Sequence, residues 1–561
     1  MSQLLLIFNI LSICFSVSET DIVTAMNSYK ADKSAINRLI ENHHSDEYYE
    51  TIDRLYTDWL SYLENVTYET LSHDGKIDYH IFKNHLLKNQ YFHNQSYLEY
   101  REVKHIASFA NDIYAFNIAR RRAIRPNAKE LSWIMDSAES TVKNLVNNLK
   151  NSKKFDSWQK ASLASDIVKS LRENTEKSYK FYDDYDPEFT WWVKKPYDRL
   201  IMALKSYEET LRSHFDMAMD SDDGSGIVGR PIGKTMLEKE LVYEYIPYTA
   251  EELIAEANKQ YAWCEQEMIM ASTNLGYGQD WKKALEYVKD KYMAPGTWPE
   301  EVGKMAIEAM DYLETNNLIT IPLTARETWR MNMLSAESQK LNAFFLGGES
   351  IYIAYPTSEM SHTEKMMSLR GNNPHFGRAV VHHELIPGHH LQWYMNDRYY
   401  THRNGFGTSF WVEGWPIYWE FTLYEMGFPR NDEDKIGMLF WRMHRAARII
   451  YSLRYHLGQM GPQQCIDFLV DKVGHERFNA EAEVRRAFTG RYGPLYQLAY
   501  MIGGLQVSAL KRECVESGIM THKDFNDTFI RQNNMPIELL RFILLDQDLP
   551  KEYKTQWKFL D

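Results

Sequence analysis

Helix breakers are scarce in this chain, and that scarcity constrains its fold more than any other feature. It carries 27 Gly and 17 Pro in 561 residues, about 8% against roughly 12% in average usage. Few breakers in a long chain favour a helix-rich fold. From about Asp21 to Met219 apolar residues recur at three- and four-residue spacing beside charged faces, most clearly over 128–150 and 157–182, the pattern of amphipathic helices. The loop-like break is Asp220 to Gly233, rich in Gly and Asp. Glu240 to Thr249 reads as a short extended segment, and Thr249 with Glu252 looks like a helix start. Helical patterns resume over 250–275, 299–316 and 325–340. Phe344 to Tyr355 reads as a strand pair turning at Gly347-Gly348. Residues 376–545 are helical again, with breaks at 371–375, 403–408, 427–433 and 458–462.

Composition excludes several classes. Hydrophobic residues at 44% and charged residues at 25% are ordinary for globular proteins, so global disorder is excluded. The formal net charge of −13 is ill suited to phosphate backbones, so no nucleic-acid partner is expected. Leu4 to Val17 is an apolar run too short to span a bilayer comfortably and of the size of a signal-peptide core. Residues 1–18 are therefore read as a signal peptide, which implies a secreted or extracytoplasmic protein with no stable membrane insertion beyond that segment. Cys14 is not in a good lipoprotein box, because Ile13 stands where a small residue is preferred. Beyond it remain Cys264, Cys465 and Cys514, read as buried free thiols. Sequons at Asn65, Asn94 and Asn526 would be surface marks only in a eukaryotic secretory pathway.

The chemistry is concentrated in His382-His383-Glu384-Leu385-Ile386-Pro387-Gly388-His389-His390-Leu391-Gln392. Four histidines and a glutamate in nine residues stand out in a chain with 19 His. A ligand followed by an adjacent general base is the logic of zinc peptidases. On a straight helix, however, His383 and His389 lie about 240° apart, and His383 and His390 lie roughly 10 Å apart along the axis. Pro387 removes a helical N–H, and Gly388 permits an unusual backbone turn. Excising Pro387-Gly388 as a bulge leaves an HExxH made by His383, Glu384 and His389. Excising three residues selects His390 instead. His382 reads as a group behind the ligands or facing solvent. A third ligand is needed, and Glu413 is the candidate, in an apolar segment where a carboxylate must be paired or on a metal. Its alternative partner is Arg442, Arg445 or Arg448. Glu420 is a second choice of ligand.

These motifs, His383-Glu384-x-x-Pro387-Gly388-His389-His390-x-Gln392 followed by Glu413-Gly414-Trp415, Tyr418 and Glu420, resemble the family called domain of unknown function 885. Arg445 to Ile450 and Pro494 to Gly503 resemble further segments of it. The resemblance implies kinship with zinc peptidases of the thermostable carboxypeptidase and angiotensin-converting-enzyme kind: a mainly α fold, a large helical bowl around a deep cleft with a small β-sheet at its rim. On this reading residues 19–561 form a single helical domain, with 19–370 as cleft wall and rim and 371–545 around the metal. The implied ligands of Zn²⁺ are His383, His389 or His390, and Glu413, with Glu384 as base. Where the family is expected to carry Asp-x-Gly-x-His, this chain has Ser452-Leu453-Arg454-Tyr455-His456. Tyr500 and His456 are candidate oxyanion donors. Arg448 or Arg454 is a candidate partner for a substrate carboxylate, and Ser350 to Tyr355 a candidate edge for an extended peptide. The expected activity is hydrolysis of short peptides. The alternatives are an esterase or amidase acting on another small acyl substrate, and a secreted binding protein on this scaffold.

Overall fold

The computed structural model of the chain describes residues 19–149, 151–215, 222–342, 344–489 and 492–560. The expected signal segment, residues 1–18 with Cys14, lies outside the described residues. Helices make up most of the described chain. The periodic stretches fold as Ala128–Leu149, Trp158–Tyr182, Ala250–Asn274 and Trp298–Thr315. Local signals set their starts. Thr249 and Glu252 form a reciprocal capping box, which gives partners to backbone N–H groups that the helix itself leaves open. Asp186 caps Pro187–Arg212, whose first turn holds Pro187, where the missing N–H costs little.

Two stretches depart from the periodic reading. Glu240 to Thr249 was expected to be extended, but its first half ends the Gly233–Tyr243 helix. Leu237 and Leu241 bury one face of that helix, and Tyr245 turns the chain at φ 57°. The 325–340 stretch, expected to be helical, divides into a short helix (Leu323–Thr328), strand β1 (Arg330–Met333) and a helical turn (Ala336–Gln339). Sheet pairing overrides helix propensity there. Strands β2 (Phe345–Leu346) and β3 (Ser350–Ile353) run antiparallel on either side of Gly347-Gly348. β1 pairs with β3 in parallel, from Arg330 opposite Ser350 to Met333 opposite Ile353. The order is thus β1-β3-β2. Both edges of β3 are occupied, so Ser350 to Tyr355 offers no free edge to a peptide. The open edges belong to β1 and β2.

Two hydrophobic cores lie inside the helical assembly. The smaller joins residues from Tyr100 to Leu211 with Tyr49. The larger joins the first helices, up to Leu86, to residues from Ile227 to Phe559. Cys264, Cys465 and Cys514 are buried free thiols. Asn526 is fully buried and bonds the Leu318 carbonyl, so this sequon is not a surface mark. Among the described residues no helix is long and apolar enough to cross a membrane.

Two contacts fix the helices that carry the candidate site. The first is polar. Asn373 caps Pro374–Glu384, accepting from the N–H groups of His375 and Phe376. Beside that start, the fully buried Asp434 of Asp432–His456 lies 2.7 Å from His375 Nδ1, 3.3 Å from Arg378 Nε and 2.8 Å from Arg430 Nε. Burial opposes its charge, yet His375, Arg430 and Arg378 hold its carboxyl well below the usual range. The second contact is steric. Ser409–Glu425 and Tyr496–Lys511 cross glycine on glycine: a Cβ on Gly414 would stand 2.5 Å from the Gly503 carbonyl carbon, and one on Gly503 would stand 2.3 Å from the Phe410 oxygen.

Both contacts can be tested by substitution. Gly503→Ala should lower stability by about 1–3 kcal/mol through forced separation of the two backbones, read as a reduced urea midpoint; an unchanged midpoint contradicts the close crossing. Asp434→Asn should cost about 1.5–3 kcal/mol at neutral pH, because it removes a buried charged acceptor from Arg378 and Arg430. A lowered folded pKa contributes stability that is present above the unfolded value and lost as pH falls below it. The gap between wild type and Asp434→Asn should therefore narrow below about pH 3.9. A pH-independent gap between the two denaturation curves would contradict the ion-pair account.

Candidate metal centre

The histidine segment is not a bulged helix. Pro374–Glu384 ends at Glu384, residues 385–388 break away, and a new helix, His389–Asn396, begins. Leu385 (φ −107°, ψ −104°) and Gly388 (φ −79°, ψ −133°) make the break, with a cis Ile386–Pro387 peptide between them. The Gly388 N–H still reaches the His382 carbonyl at 3.0 Å. The glycine is needed for space rather than for a left-handed φ: a Cβ there would lie 1.7 Å from the His383 oxygen. Trp415 Nε1 donates to the Pro387 carbonyl at 2.7 Å, fastening the break to the Ser409–Glu425 helix.

This fold-back brings His383 and His389 together. Their rings meet edge to face, with centroids 4.9 Å apart. His383, Glu384 and His389 each offer a ligand atom, all within 4.8 Å of one another. Glu413 joins them from the neighbouring helix. Its Oε2 lies 3.7 Å from His383 Nε2 and 3.4 Å from His389 Nε2, yet makes no hydrogen bond. Such separations are loose for hydrogen bonds but close to the roughly 3.3 Å expected between two ligands of one tetrahedral zinc, given zinc–ligand bonds of about 2.0–2.1 Å. Two carboxylates thus compete for the third ligand place. Glu413 fits better, because its Oε1 is tied to the Tyr496 hydroxyl while its Oε2 is left facing both imidazoles.

The outer faces of the rings are also occupied. His383 Nδ1 lies 2.7 Å from Glu420 Oε1, and His389 Nδ1 meets Gln392 Oε1 at 3.0 Å. Gln392 is itself fixed, donating to the Trp411 carbonyl at 3.2 Å. Partners on Nδ1 orient an imidazole so that Nε2 faces a metal. Glu420 therefore stands behind a histidine rather than beside Glu413. Without a metal, burial disfavours charge on His389, but Glu413 outweighs it with help from Glu384 and Gln392, raising the ring to about 9. Glu413 is held well below the carboxylate range by His389 and His383 despite burial.

The other expected residues separate clearly. His390 turns away: its Nδ1 faces the Glu349 carbonyl at 3.2 Å and its Nε2 the Ala325 carbonyl at 2.9 Å, so it ties the break to the rim. His382 is buried rather than solvent-facing, with Nδ1 2.9 Å from the Arg378 carbonyl, and burial pushes it down to about 4. None of the three arginines pairs with Glu413. Arg442 lies over Trp263 and Phe421, Arg445 bonds Glu420 at 3.1 Å and Arg448 bonds Glu483 at 2.7 Å. His456 does not reach the site. It is eight residues beyond Arg448 on one helix, roughly 12 Å along the axis, and packs near Tyr455 and Phe488. Arg454, on the last turn of that helix, is also outside the cavity lining.

A cavity of about 210 Å³ opens beside His383, Glu384, His389 and Glu413. The turn of the small sheet covers one side: a Cβ on Gly347 would stand 2.2 Å from Glu384 Oε2. Trp393 and Phe344 also line this side, while Arg445, Arg448, Arg486, Tyr492, Tyr496 and Tyr500 line the cavity with them. Tyr500 lines the cavity, stacked 6.2 Å from the His383 ring. Sequence reasoning missed Tyr496 and Arg486. Tyr496 carries a weak signal, one helical turn before Tyr500. Glu483 and Arg486 look like an ordinary surface pair at helical spacing, so nothing marked them.

Comparison with known proteins adds the family. No curated protein matches the chain. Among solved structures, a candidate lipoprotein of unknown function from Shewanella oneidensis is similar at TM-score 0.68 and 17% identity, covering 93% of this chain and 99% of that one. A candidate lipoprotein from Colwellia psychrerythraea is similar at TM-score 0.50 and 15% identity, covering 75% and 74%. These identities establish likeness of fold. A family model described as "Bacterial protein of unknown function (DUF885)" matches residues 29–543, nearly the whole described chain, and the protein belongs to that family.

Proposed function

We propose that this protein is a zinc-dependent hydrolase of short peptides, acting outside the cytoplasm. The observation that carries the reading is the convergence of His383 Nε2, His389 Nε2 and Glu413 Oε2, which makes no hydrogen bond, with Gln392 bonded to His389 Nδ1 and Glu420 Oε1 2.7 Å from His383 Nδ1. The donor set of two imidazoles and a carboxylate is that of a catalytic zinc site, which leaves a position open. The apolar N-terminal run and the lipoprotein descriptions of the two fold relatives support the location.

His383, His389 and Glu413 would hold the ion. A bound zinc supplies Lewis-acid polarisation of a substrate carbonyl and of water. Glu384 is next to a ligand and faces the cavity, so it takes the proton from the attacking water and hands it to the leaving nitrogen. Tyr500 faces the same space and is the donor available to the developing oxyanion. Trp393 and the Gly347 turn line the space beside Glu384. The cavity is smaller than the roughly 300–1,000 Å³ typical of ligand pockets, which favours small substrates over folded proteins. The same residues would serve an ester or a non-peptide amide, and a parallel substrate screen separates these.

Metal analysis of purified protein should find about one zinc per chain. Glu384→Gln should keep that zinc and lose about 10²-fold or more in peptide hydrolysis. Full activity in that variant would sink the proposal. His389→Ala should lose the metal while His390→Ala keeps it; the reverse would move the ligand role to His390. Gln392→Ala should weaken zinc binding by about 10–100-fold, measured by competition with a chelator.

A further inference from the structure

Three guanidinium groups face the cavity, and two are matched. Arg445 bonds Glu420 at 3.1 Å, and Arg448 bonds Glu483 at 2.7 Å. Arg486 has no carboxylate of its own. Among the described residues the carboxylate that pairs with it is Glu483, whose Oε2 is 3.9 Å from Nη1, and Glu483 is already engaged by Arg448 and by the Tyr451 hydroxyl at 3.2 Å. Arg486 Nη2 donates to the Tyr500 hydroxyl at 3.3 Å. Its Nε has no hydrogen-bond partner, nor has Nη1 of Arg448. Tyr492 and Tyr496 present ring faces to Arg486 at 4.6 and 5.8 Å.

The charges around the cavity can be matched in turn. A divalent cation would balance Glu413 and Glu384. Arg445 balances Glu420, and Arg448 balances Glu483. Arg486 shares Glu483 with Arg448, so the two guanidinium groups carry one positive charge in excess, with little access to water; the Arg486 side chain is 12% exposed. A buried cation left uncompensated is costly, and open guanidinium donors fit a carboxylate fork. The position is also informative. Arg486 reaches Tyr500, Tyr500 reaches Tyr496 at 3.5 Å, and Tyr496 bonds Glu413. Two phenols therefore separate the open guanidinium from the candidate metal ligand.

We infer that the substrate carries a free carboxylate on the residue just beyond the cleaved bond, and that Arg486, with Arg448 beside it, binds that carboxylate. This rests on the hydrolase reading and deepens it: the reaction is release of a C-terminal amino acid from a short acyl-peptide. Water adds its oxygen to the acyl carbon, the C–N bond breaks, and the leaving nitrogen gains a proton. The carboxylate remains ionised and is not consumed.

Binding and turnover test this separately. The full chain with Glu384→Gln, loaded with zinc, is titrated with N-acetylated tripeptides, each as the free acid and as the C-terminal amide. Calorimetry should show the acids binding more tightly by about 30-fold or more. Adding Arg486→Gln should remove that preference, and Arg486→Lys should retain part of it. Equal binding of acid and amide overturns the inference, as does an acid preference that survives in folded Arg486→Gln. If Arg486→Gln does not fold, the acid–amide comparison with Arg486 intact still decides. Absence of hydrolysis alongside a clear acid preference lost in Arg486→Gln would sink the hydrolase reading, and with it the release step, while leaving Arg486 as a carboxylate-binding residue. Hydrolysis of acids and amides at equal rates would overturn this inference alone.

Discussion

The candidate site depends on how closely two helices cross. Ser409–Glu425 carries Glu413 and Glu420, and Tyr496–Lys511 carries Tyr496 and Tyr500. At the crossing, Gly414 meets Gly503 with no side chain between. Glu413 immediately precedes the contact point, so backbone distance sets its reach across to Tyr496. Side-chain repacking could not substitute for this, since the limit is set by backbone atoms and protein interiors are close-packed. The apolar, nearly all-buried Ser409–Glu425 helix then has little freedom to rotate, because Trp411, Trp415 and Trp419 fill fully buried positions.

Around that crossing the structure concentrates charge where charge is expensive. Glu413, Glu420 and Glu483 are buried, as are Arg445 and Arg448. Each carboxylate is held below its usual range by specific neighbours that outweigh burial: His389 and His383 for Glu413, Arg445 and His383 for Glu420, Arg448 and Arg486 for Glu483. Replacing such pairs by apolar residues is often neutral or favourable for stability, so stability alone does not account for the arrangement. Preorganised charge in a water-poor cleft is what binding and acyl-transfer chemistry use.

Much of this architecture was legible in the residues, and the failures have physical causes. Ala128–Leu149 and Trp158–Tyr182 were readable because a single buried stripe imposes a 3.6-residue period. The β2–β3 turn was readable from Gly347-Gly348. The 325–340 stretch was not, because β1 exists through pairing with a strand twenty residues later. His383, Glu384 and Glu413 stood out through density and through an acidic side chain in an apolar run. Whether His389 or His390 faces Glu413 could not be read locally, since it depends on the backbone angles of Leu385 and Gly388 and on carbonyls of Glu349 and Ala325. His456 was attractive by type, yet axial rise along one helix carries it two turns away. Arg486 was invisible because its meaning lies in what it fails to pair with.

The Gly347 turn has a consequence for how this cavity could change. Its backbone, with no side chain between, presses on Glu384. Most clefts can be widened by trimming a bulky residue at the mouth. Against Glu384 the wall is peptide, and trimming Trp393 or Phe344 beside it would leave that contact in place. Widening the cavity at Glu384 itself would require a longer hairpin between β2 and β3. Length variation in that one loop, rather than point substitution, is therefore the natural route by which a chain of this architecture would admit bulkier molecules.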